Sequence, residues 1–385
     1  MTCPLQTTAG DHFARPLIAQ SGYVDMLQWG SKTLATASCV YNAYSAVIIS
    51  ALHSFLQEDP SLLESFSSLN SRSKELIVHA PETYNLLTKA CRNDPSPLLR
   101  SLQNMISIEH YRSGNTSWKV GSEWAADGSI FASAQGVALA HDSDGWPREG
   151  SYSAPLLNGR IPIDYCSPYS RRPMPVAEFR PIKYGEPTAF DVHLAKHVVA
   201  KIQAAYDSVR SVCPIASIFF NKNVKSIVVR RNNDVKAFQS ASRNAYIGEV
   251  VLLNPQSEFV DTAYMAESLV HESIHALMWR AEVLSHFLTL SDQGEVICVS
   301  PWTGQKIFYY TLLQAVFVWY GVYHFWLEAS KATVFDSYRV EKLKERAASG
   351  FRSDRFLVEI ALHSHLLQNG IFETFVEMQR VVNSR

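Results

Sequence analysis

The feature that most constrains this fold is a His-Glu-x-x-His motif at residues 271–275, in the middle of a long segment with helical spacing. The helical pattern runs from about Thr262 to Phe287, and Asp261 supplies a start signal. Two runs rich in β-branched residues precede it, KSIVVRR at 225–231 and IGEVVLLN at 247–254. A long helix that follows the strands of a small sheet is therefore predicted.

The motif places two imidazoles where they can share one metal ion. His271 and His275 are four residues apart, so they lie on one helix face about 6 Å apart along the axis. Glu272 lies one position round the helix, near the open coordination positions of such an ion. Strands followed by a helix with this motif at its middle are the layout of zinc-protease-like folds. The alternative is two surface histidines without a metal.

The familiar histidine extensions of the motif are missing here. A metzincin would have glycine and histidine where this chain has Met278 and Ala281, so that class is excluded. His286 follows His275 by eleven residues, which is about 16 Å along a helix and too far to share the ion. The third ligand must come from elsewhere.

Three residues remain as alternatives for that ligand. Glu295 has the count expected of a thermolysin-like glutamate, but its surroundings, SDQGEVICVSPW, indicate a turn and a strand instead of a helix. The next apolar helix offers Gln314 and His324, its only histidine.

Local patterns divide the chain into three segments. Residues 1–110 have apolar residues at three- and four-residue spacing and read as a helical N-terminal region. Residues 111–190 are rich in Gly, Pro, Ser and Tyr and predict a connecting layer of loops and short strands. Residues 191–385 form the catalytic domain with the metal-binding helix. The fold class is α+β and helix-rich.

Within the last segment the spacing predicts further elements. A helix is expected over 190–209, strands over 215–220 (IASIFF) and 296–299 (VICV), and an apolar helix from about 307 to 328. From about 335 the chain reads as helical.

Charge and cysteine use restrict the function classes. The 35 Lys and Arg residues balance 36 Asp and Glu residues, so the formal net charge of -1 supplies no basic field for nucleic acid. Six scattered cysteines form no CxxC pair and suit a reducing compartment, and the first residues lack a secretory pattern. A cytoplasmic protein is expected, with the oligomeric state left open.

Two apolar segments have the length of a membrane span, Leu34–Leu56 and Ile307–Leu327. The first contains Asn42 and His53, and the second contains Gln314 and His324, which are costly in lipid. We expect helices buried inside the protein and no membrane partner.

Around the motif the chain resembles a known family, the 2-oxoglutarate-dependent HExxH-type peptide β-hydroxylases that modify ribosomally made peptides. The likeness rests on AESLVHESIHALM (266–278), IGEVVLLNP (247–255), and SPWTGQK (300–306) followed by LLQAVFVWYGVYHFW (312–326). It covers roughly residues 200–330.

The resemblance implies an iron(II) oxygenase on a zincin-like helix that hydroxylates a side-chain Cβ of a peptide, with O2 and 2-oxoglutarate as co-substrates. His271 and His275 would bind iron with a third protein ligand. Lys306, or alternatively Arg280, would meet the distal carboxylate of 2-oxoglutarate. Glu272 would orient ligands or neighbour the iron.

In relatives a histidine is expected early in the aromatic helix, where this chain has Gln314-Ala315. His324, ten residues on, is then the expected third ligand, although it faces some 80° away from Gln314 on an ideal helix. The alternatives are a zinc metallopeptidase, with Glu272 as base and Glu295 as ligand, and a degenerate member that only binds a peptide.

Overall fold

The computed structural model describes residues 20–91, 95–114, 123–132, 140–141, 147–149, 152–172, 187–188, 190, 192–234, 237–288 and 296–385. Within these residues the chain forms thirteen α-helices and twelve short strands. The predicted helix-rich α+β class is confirmed.

The helices are α1 (Gln20–Met26), α2 (Thr33–Leu56), α3 (Pro60–Ser68), α4 (Ser71–His79), α5 (Pro81–Ala90), α6 (Ser96–Arg112), α7 (Val192–Val212), α8 (Pro214–Asn223), α9 (Thr262–Leu284), α10 (Tyr309–Ala329), α11 (Ser337–Arg352), α12 (Arg355–Ala361) and α13 (Ile371–Asn383). The strands are β1 (Glu123–Trp124), β2 (Ile130–Ala132), β3 (Ala140–His141), β4 (Pro147–Glu149), β5 (Tyr152–Ser153), β6 (Leu156–Leu157), β7 (Ile161–Asp164), β8 (Ser226–Arg230), β9 (Gln239–Ser242), β10 (Glu249–Leu253), β11 (Ile297–Val299) and β12 (Lys306–Phe308).

The largest sheet in the described part of the chain has five strands in the order β6-β7-β8-β10-β9. Strand β8 runs parallel to both β7 and β10, and all residues of β8 and β10 are buried. Burial at every position is typical of strands covered on both faces. Strand β9 pairs antiparallel with β10 and lies half-buried at the sheet edge. The strands predicted in 225–231 and 247–254 are confirmed.

Helix α9 is the central helix of the domain. It begins after Asp261, whose carboxylate accepts a hydrogen bond from the Tyr264 amide at 2.7 Å, as an N-cap residue does. It packs against α2, α7, α8 and α10, and its sheet-facing side meets β9 and β10. One hydrophobic core surrounds it and includes residues on both sides of positions 110 and 190, such as Leu52, Phe220 and Phe317.

The prediction of a strand at 215–220 is wrong, because these residues belong to helix α8. Pro214 stands at the start of that helix, where its fixed φ suits the first turn. Ala216, Phe219 and Phe220 are buried at three- and four-residue spacing. Helical periodicity and the proline thus outweigh the β propensity of the isoleucines.

Helix α10 is the predicted apolar aromatic helix, and it is buried over most of its surface. The sequence predicts this helix from about residue 307, but Ile307 and Phe308 belong to strand β12, which pairs with β11, the strand expected at VICV. By length and composition one helix in the described residues, Thr33–Leu56, could cross a membrane, but half of its most apolar window is buried inside the protein. Cys39, Cys166, Cys213 and Cys298 are free thiols, whereas Cys91 is disulfide-bonded and so departs from the expected set of reduced cysteines.

Candidate functional site: two histidines in a groove between α9 and α10

Along the middle of α9, only every fourth side chain reaches the surface. His271, His275 and Trp279 are partly exposed, and all residues between them are buried. Positions four apart lie on one helix face, so this spacing makes a single accessible stripe. The predicted motif histidines both belong to it, and their ring centroids are 5.0 Å apart.

Helix α10 presents a matching stripe to α9. The Trp319 ring lies 5.5 Å from that of His271, and the Tyr310 ring lies 5.7 Å from that of Trp279, so the two helices run antiparallel. We call the space between the stripes the α9–α10 groove; it is lined by His271, His275, Trp279, Thr311, Ala315 and Trp319.

Both histidines are neutral at physiological pH. Burial lowers the pKa of His275 to about 4, and burial, His275 and Arg346 hold the pKa of His271 well below its usual value. Neutral imidazoles keep the lone pairs that metal coordination needs. His271 and His275 could therefore occupy two coordination positions of one metal ion.

Gln314 orients one of these rings. Its side-chain oxygen lies 3.4 Å from Nδ1 of His275, and its amide nitrogen donates to the Tyr310 hydroxyl at 3.5 Å. Because an amide oxygen only accepts, the proton of His275 resides on Nδ1 and leaves Nε2 free. Gln314 thus contacts the predicted metal ligand His275 at Nδ1 and leaves Nε2 of His275 for the metal ion.

Glu272 is almost completely buried beside His271. Its Oε1 accepts a hydrogen bond from the Ser240 hydroxyl of β9 at 2.6 Å and lies 3.9 Å from Nε2 of His271. Its Oε2 has no partner among the described residues. Burial raises the pKa of this carboxyl to about 8, although the Ser240 hydrogen bond opposes the shift. A nearby cation would favour the charged form.

Within the described residues, no group of three His, Cys, Asp or Glu side chains is placed to hold a metal ion. His324 is buried on another side of α10, with its ring against Tyr320 and Tyr323, and its Nε2 has no partner there. The structure does not bring it to His271 and His275. Glu295 lies outside the described residues.

The two residues predicted to bind the distal carboxylate of 2-oxoglutarate also lie away from the α9–α10 groove. Lys306 is exposed on β12. Arg280 is fully buried and faces α2 and α8, with its guanidinium 5.5 Å from the Tyr44 ring and hydrogen-bonded to the Asn223 carbonyl oxygen at 2.9 Å. Neither contacts a groove residue through a hydrogen bond or ring contact in the described part of the chain.

The cation beside the histidines is Arg346, which the sequence reasoning missed. Its guanidinium lies 5.6 Å from the Trp319 ring, and its charge acts on His271. Its Nη2 is hydrogen-bonded to Glu267, a buried carboxylate that also accepts from the Trp326 indole at 2.7 Å. No local pattern marks Arg346, because its position depends on how α11 packs on α10.

No protein-family model matches this chain, and no curated protein matches it. The resemblance to the peptide β-hydroxylases stays a prediction from the residues of the motif and its surroundings.

Proposed function

We propose that the protein is an iron(II)- and 2-oxoglutarate-dependent hydroxylase that acts on the Cβ of a peptide side chain, in the maturation of a ribosomally made peptide. The observation that carries this proposal is the pair of neutral histidines in the α9–α10 groove with Arg346 beside them. In this interpretation α9 and its neighbouring sheet form a zincin-like arrangement.

His271 and His275 would hold the iron. With Glu295 as third ligand, the set would be two histidines and one carboxylate, which is typical of non-haem iron oxygenases. His324 would require α10 to rearrange, because its ring lies among Tyr320 and Tyr323. When bound, iron(II) and 2-oxoglutarate would allow O2 to oxidise a C–H bond of the substrate.

Two protein groups would position these components. Gln314 fixes the His275 ring by accepting a hydrogen bond from its Nδ1–H, and such partners of ligand histidines strengthen metal binding. Arg346 would pair with a carboxylate of 2-oxoglutarate, because only its Nη2 donates to a protein group in the described residues. The indoles of Trp279 and Trp319 flank the histidines and would exclude water from the site.

Strand β9, the outermost strand of the sheet among the described residues, would offer its outer side to an extended peptide. Its Ser240 contacts Glu272, so a peptide paired along β9 would pass beside the motif. Addition of a strand to an open sheet edge uses main-chain hydrogen bonds and accepts many sequences. A peptide substrate therefore fits this architecture better than a small free metabolite.

Anaerobic reconstitution tests the proposal. We expect the protein to bind iron(II) and, on exposure to O2, to convert 2-oxoglutarate to succinate and add one oxygen atom to the precursor peptide. His271→Ala should abolish iron binding and succinate formation, whereas His286→Ala, a change at the exposed histidine that follows α9, should not. Succinate at the level of a protein-free control would refute the proposal.

A zinc metallopeptidase is the second candidate, and the partnerless Oε2 of Glu272 beside His271 favours it. In that case His271 and His275 would hold zinc, which would activate a water molecule, and Glu272 would accept the proton of that water. Glu272→Gln would abolish zinc-dependent cleavage. The hydroxylase proposal instead predicts that the same variant retains iron binding and makes succinate.

A further inference from the structure

On the side of α9 that faces away from the groove, three cationic side chains surround one tyrosine. The ammonium groups of Lys222 and Lys225 each lie 4.8 Å from the Tyr41 ring centroid, and the Arg280 guanidinium lies 5.6 Å from it. We call Lys222, Lys225 and Arg280 the basic cluster. It joins α8, the loop before β8, and α9 to helix α2.

Arg280 is the deepest member and has no carboxylate partner among the described residues. Its exposed fraction is 0%, and its Nη1 donates to carbonyl oxygens of Asn223 and Ala276 at 2.9 and 3.1 Å. Its Nε and Nη2 have no hydrogen-bond partner among the described residues. Arg172, by contrast, is a half-buried arginine paired with the carboxylate of Glu249.

The lysines of the basic cluster also lack an acidic contact in the described part of the chain. Lys225 donates to the Tyr41 hydroxyl at 2.9 Å, and Lys222 donates to the Ser38 hydroxyl at 2.8 Å. Glu75, whose charge acts on both lysines, accepts a hydrogen bond from the Tyr41 hydroxyl at 2.9 Å. Three cations thus share one carboxylate, and a fully protonated cluster has two uncompensated positive charges.

These charges act on each other. Burial lowers the pKa of Lys225 to about 7, and Arg280 and Lys222 add to the shift. The same three cations, together with burial, hold the pKa of His79 well below its usual value. Cation–π contacts return only about 0.5–2 kcal/mol each, whereas an unpaired buried charge costs several. An anion would remove this imbalance.

The backbone also leaves Arg280 and Lys225 close to a residue without a side chain. Gly248 has φ +94°, and a Cβ there would lie 3.1 Å from both Nη2 of Arg280 and Cγ of Lys225. At the outer end Lys222 and Ser38 are partly exposed and Glu75 is exposed, so the Lys222 end of the cluster lies at the surface.

We propose that the basic cluster is a binding site for a phosphate group, taken up as the dianion between Arg280, Lys225 and Lys222. Two negative charges match the two uncompensated positive ones. The free Nε and Nη2 of Arg280 present adjacent donors, the fork that pairs with two oxygens of one phosphate. The shared chemistry is the phosphate group, either as the free ion or as a phosphomonoester. The site is separate from the groove and does not depend on a metal.

Isothermal titration calorimetry of the full chain, with inorganic phosphate and with glycerol 3-phosphate as probes, tests the proposal. We expect saturable binding of at least one probe, with acetate binding at least about tenfold more weakly because it carries a single charge. Tighter binding of glycerol 3-phosphate assigns the ligand as a phosphomonoester, and tighter binding of inorganic phosphate assigns it as the free ion.

Variants of the two lysines leave the fully buried Arg280 in place. Lys225→Gln and Lys222→Gln should each weaken phosphate binding about tenfold or more, because each removes one charged hydrogen-bond donor. Lys331→Gln, at an exposed lysine paired with Glu328, should bind like the wild type. Absence of saturable binding, or wild-type affinity in both cluster variants, would overturn the proposal.

Discussion

The contact of Trp302 with helix α11 allows a direct test of the packing next to the α9–α10 groove. Trp302 belongs to the Ser-Pro-Trp run, and its indole lies flat on Gly350, where a Cβ would come 2.1 Å from the ring. Its Nε1 donates to the Ala347 carbonyl oxygen at 3.0 Å, and its ring stacks 6.3 Å from that of Trp319. Gly350→Ala must therefore displace the indole.

The size and sign of the effect follow from opposing terms. An alanine in place of a helical glycine favours folding by about 0.5–1 kcal/mol. Overpacking opposes it by about 1–3 kcal/mol, and loss of the indole hydrogen bond removes about 1 kcal/mol more. We expect Gly350→Ala to be destabilised by about 2 kcal/mol, the opposite of its effect in an exposed helix.

Urea unfolding followed by tryptophan fluorescence measures this difference. Ser349→Ala, at the exposed neighbour on the same helix, is the matched control and should change the free energy of unfolding by no more than about 0.5 kcal/mol. A Gly350→Ala protein as stable as the wild type, or more stable, would show that the Trp302 indole does not pack on Gly350 in solution.

Three further predictions concern the groove and its surroundings. Gln314→Leu removes the acceptor for Nδ1 of His275 and should weaken metal binding by about 10–100-fold in a competition titration, while an unchanged affinity would contradict its orienting role. Arg346→Met should raise the KM for 2-oxoglutarate with little change in iron affinity; an unaltered KM would exclude Arg346 as the carboxylate partner. Burial lowers the pKa of His324 to about 3, against about 6.5 in an unfolded chain, so its contribution to stability is present above pH 6.5 and is lost as the pH falls towards 3. His324→Phe should therefore lose about 2 kcal/mol less stability than the wild type between pH 7 and pH 5 in urea unfolding and should still bind metal, whereas loss of metal binding would restore His324 as a ligand.

The elements that carry the motif could be predicted from local patterns. Strands β8 and β10 are buried runs of β-branched residues, and α9 has a capping aspartate at its start, so each pattern is contained within its own segment. The strand prediction at 215–220 failed because Pro214 and the spacing of the phenylalanines favour a helix. Short apolar runs are ambiguous between the two structures.

The surroundings of the histidines could not be predicted in the same way. Arg346 reaches Trp319 only through the packing of α11 on α10, which no local periodicity encodes. Arg280 follows the motif closely in sequence, yet the rotation of the helix turns it towards α2 and away from His275. Closeness in sequence to the motif therefore does not place a residue near His271 and His275, because successive helix positions face different neighbours.

For the proposed peptide substrate, the accessible stripe of α9 limits how many residues could contact the α9–α10 groove at once. From His271 to Trp279 the stripe covers eight steps along the helix, which is a rise of about 12 Å. An extended peptide advances about 3.3 Å per residue, so about four of its residues fit alongside. Selection of one peptide among many would then depend on contacts beyond these four residues, such as a leader segment of the peptide bound elsewhere on the protein.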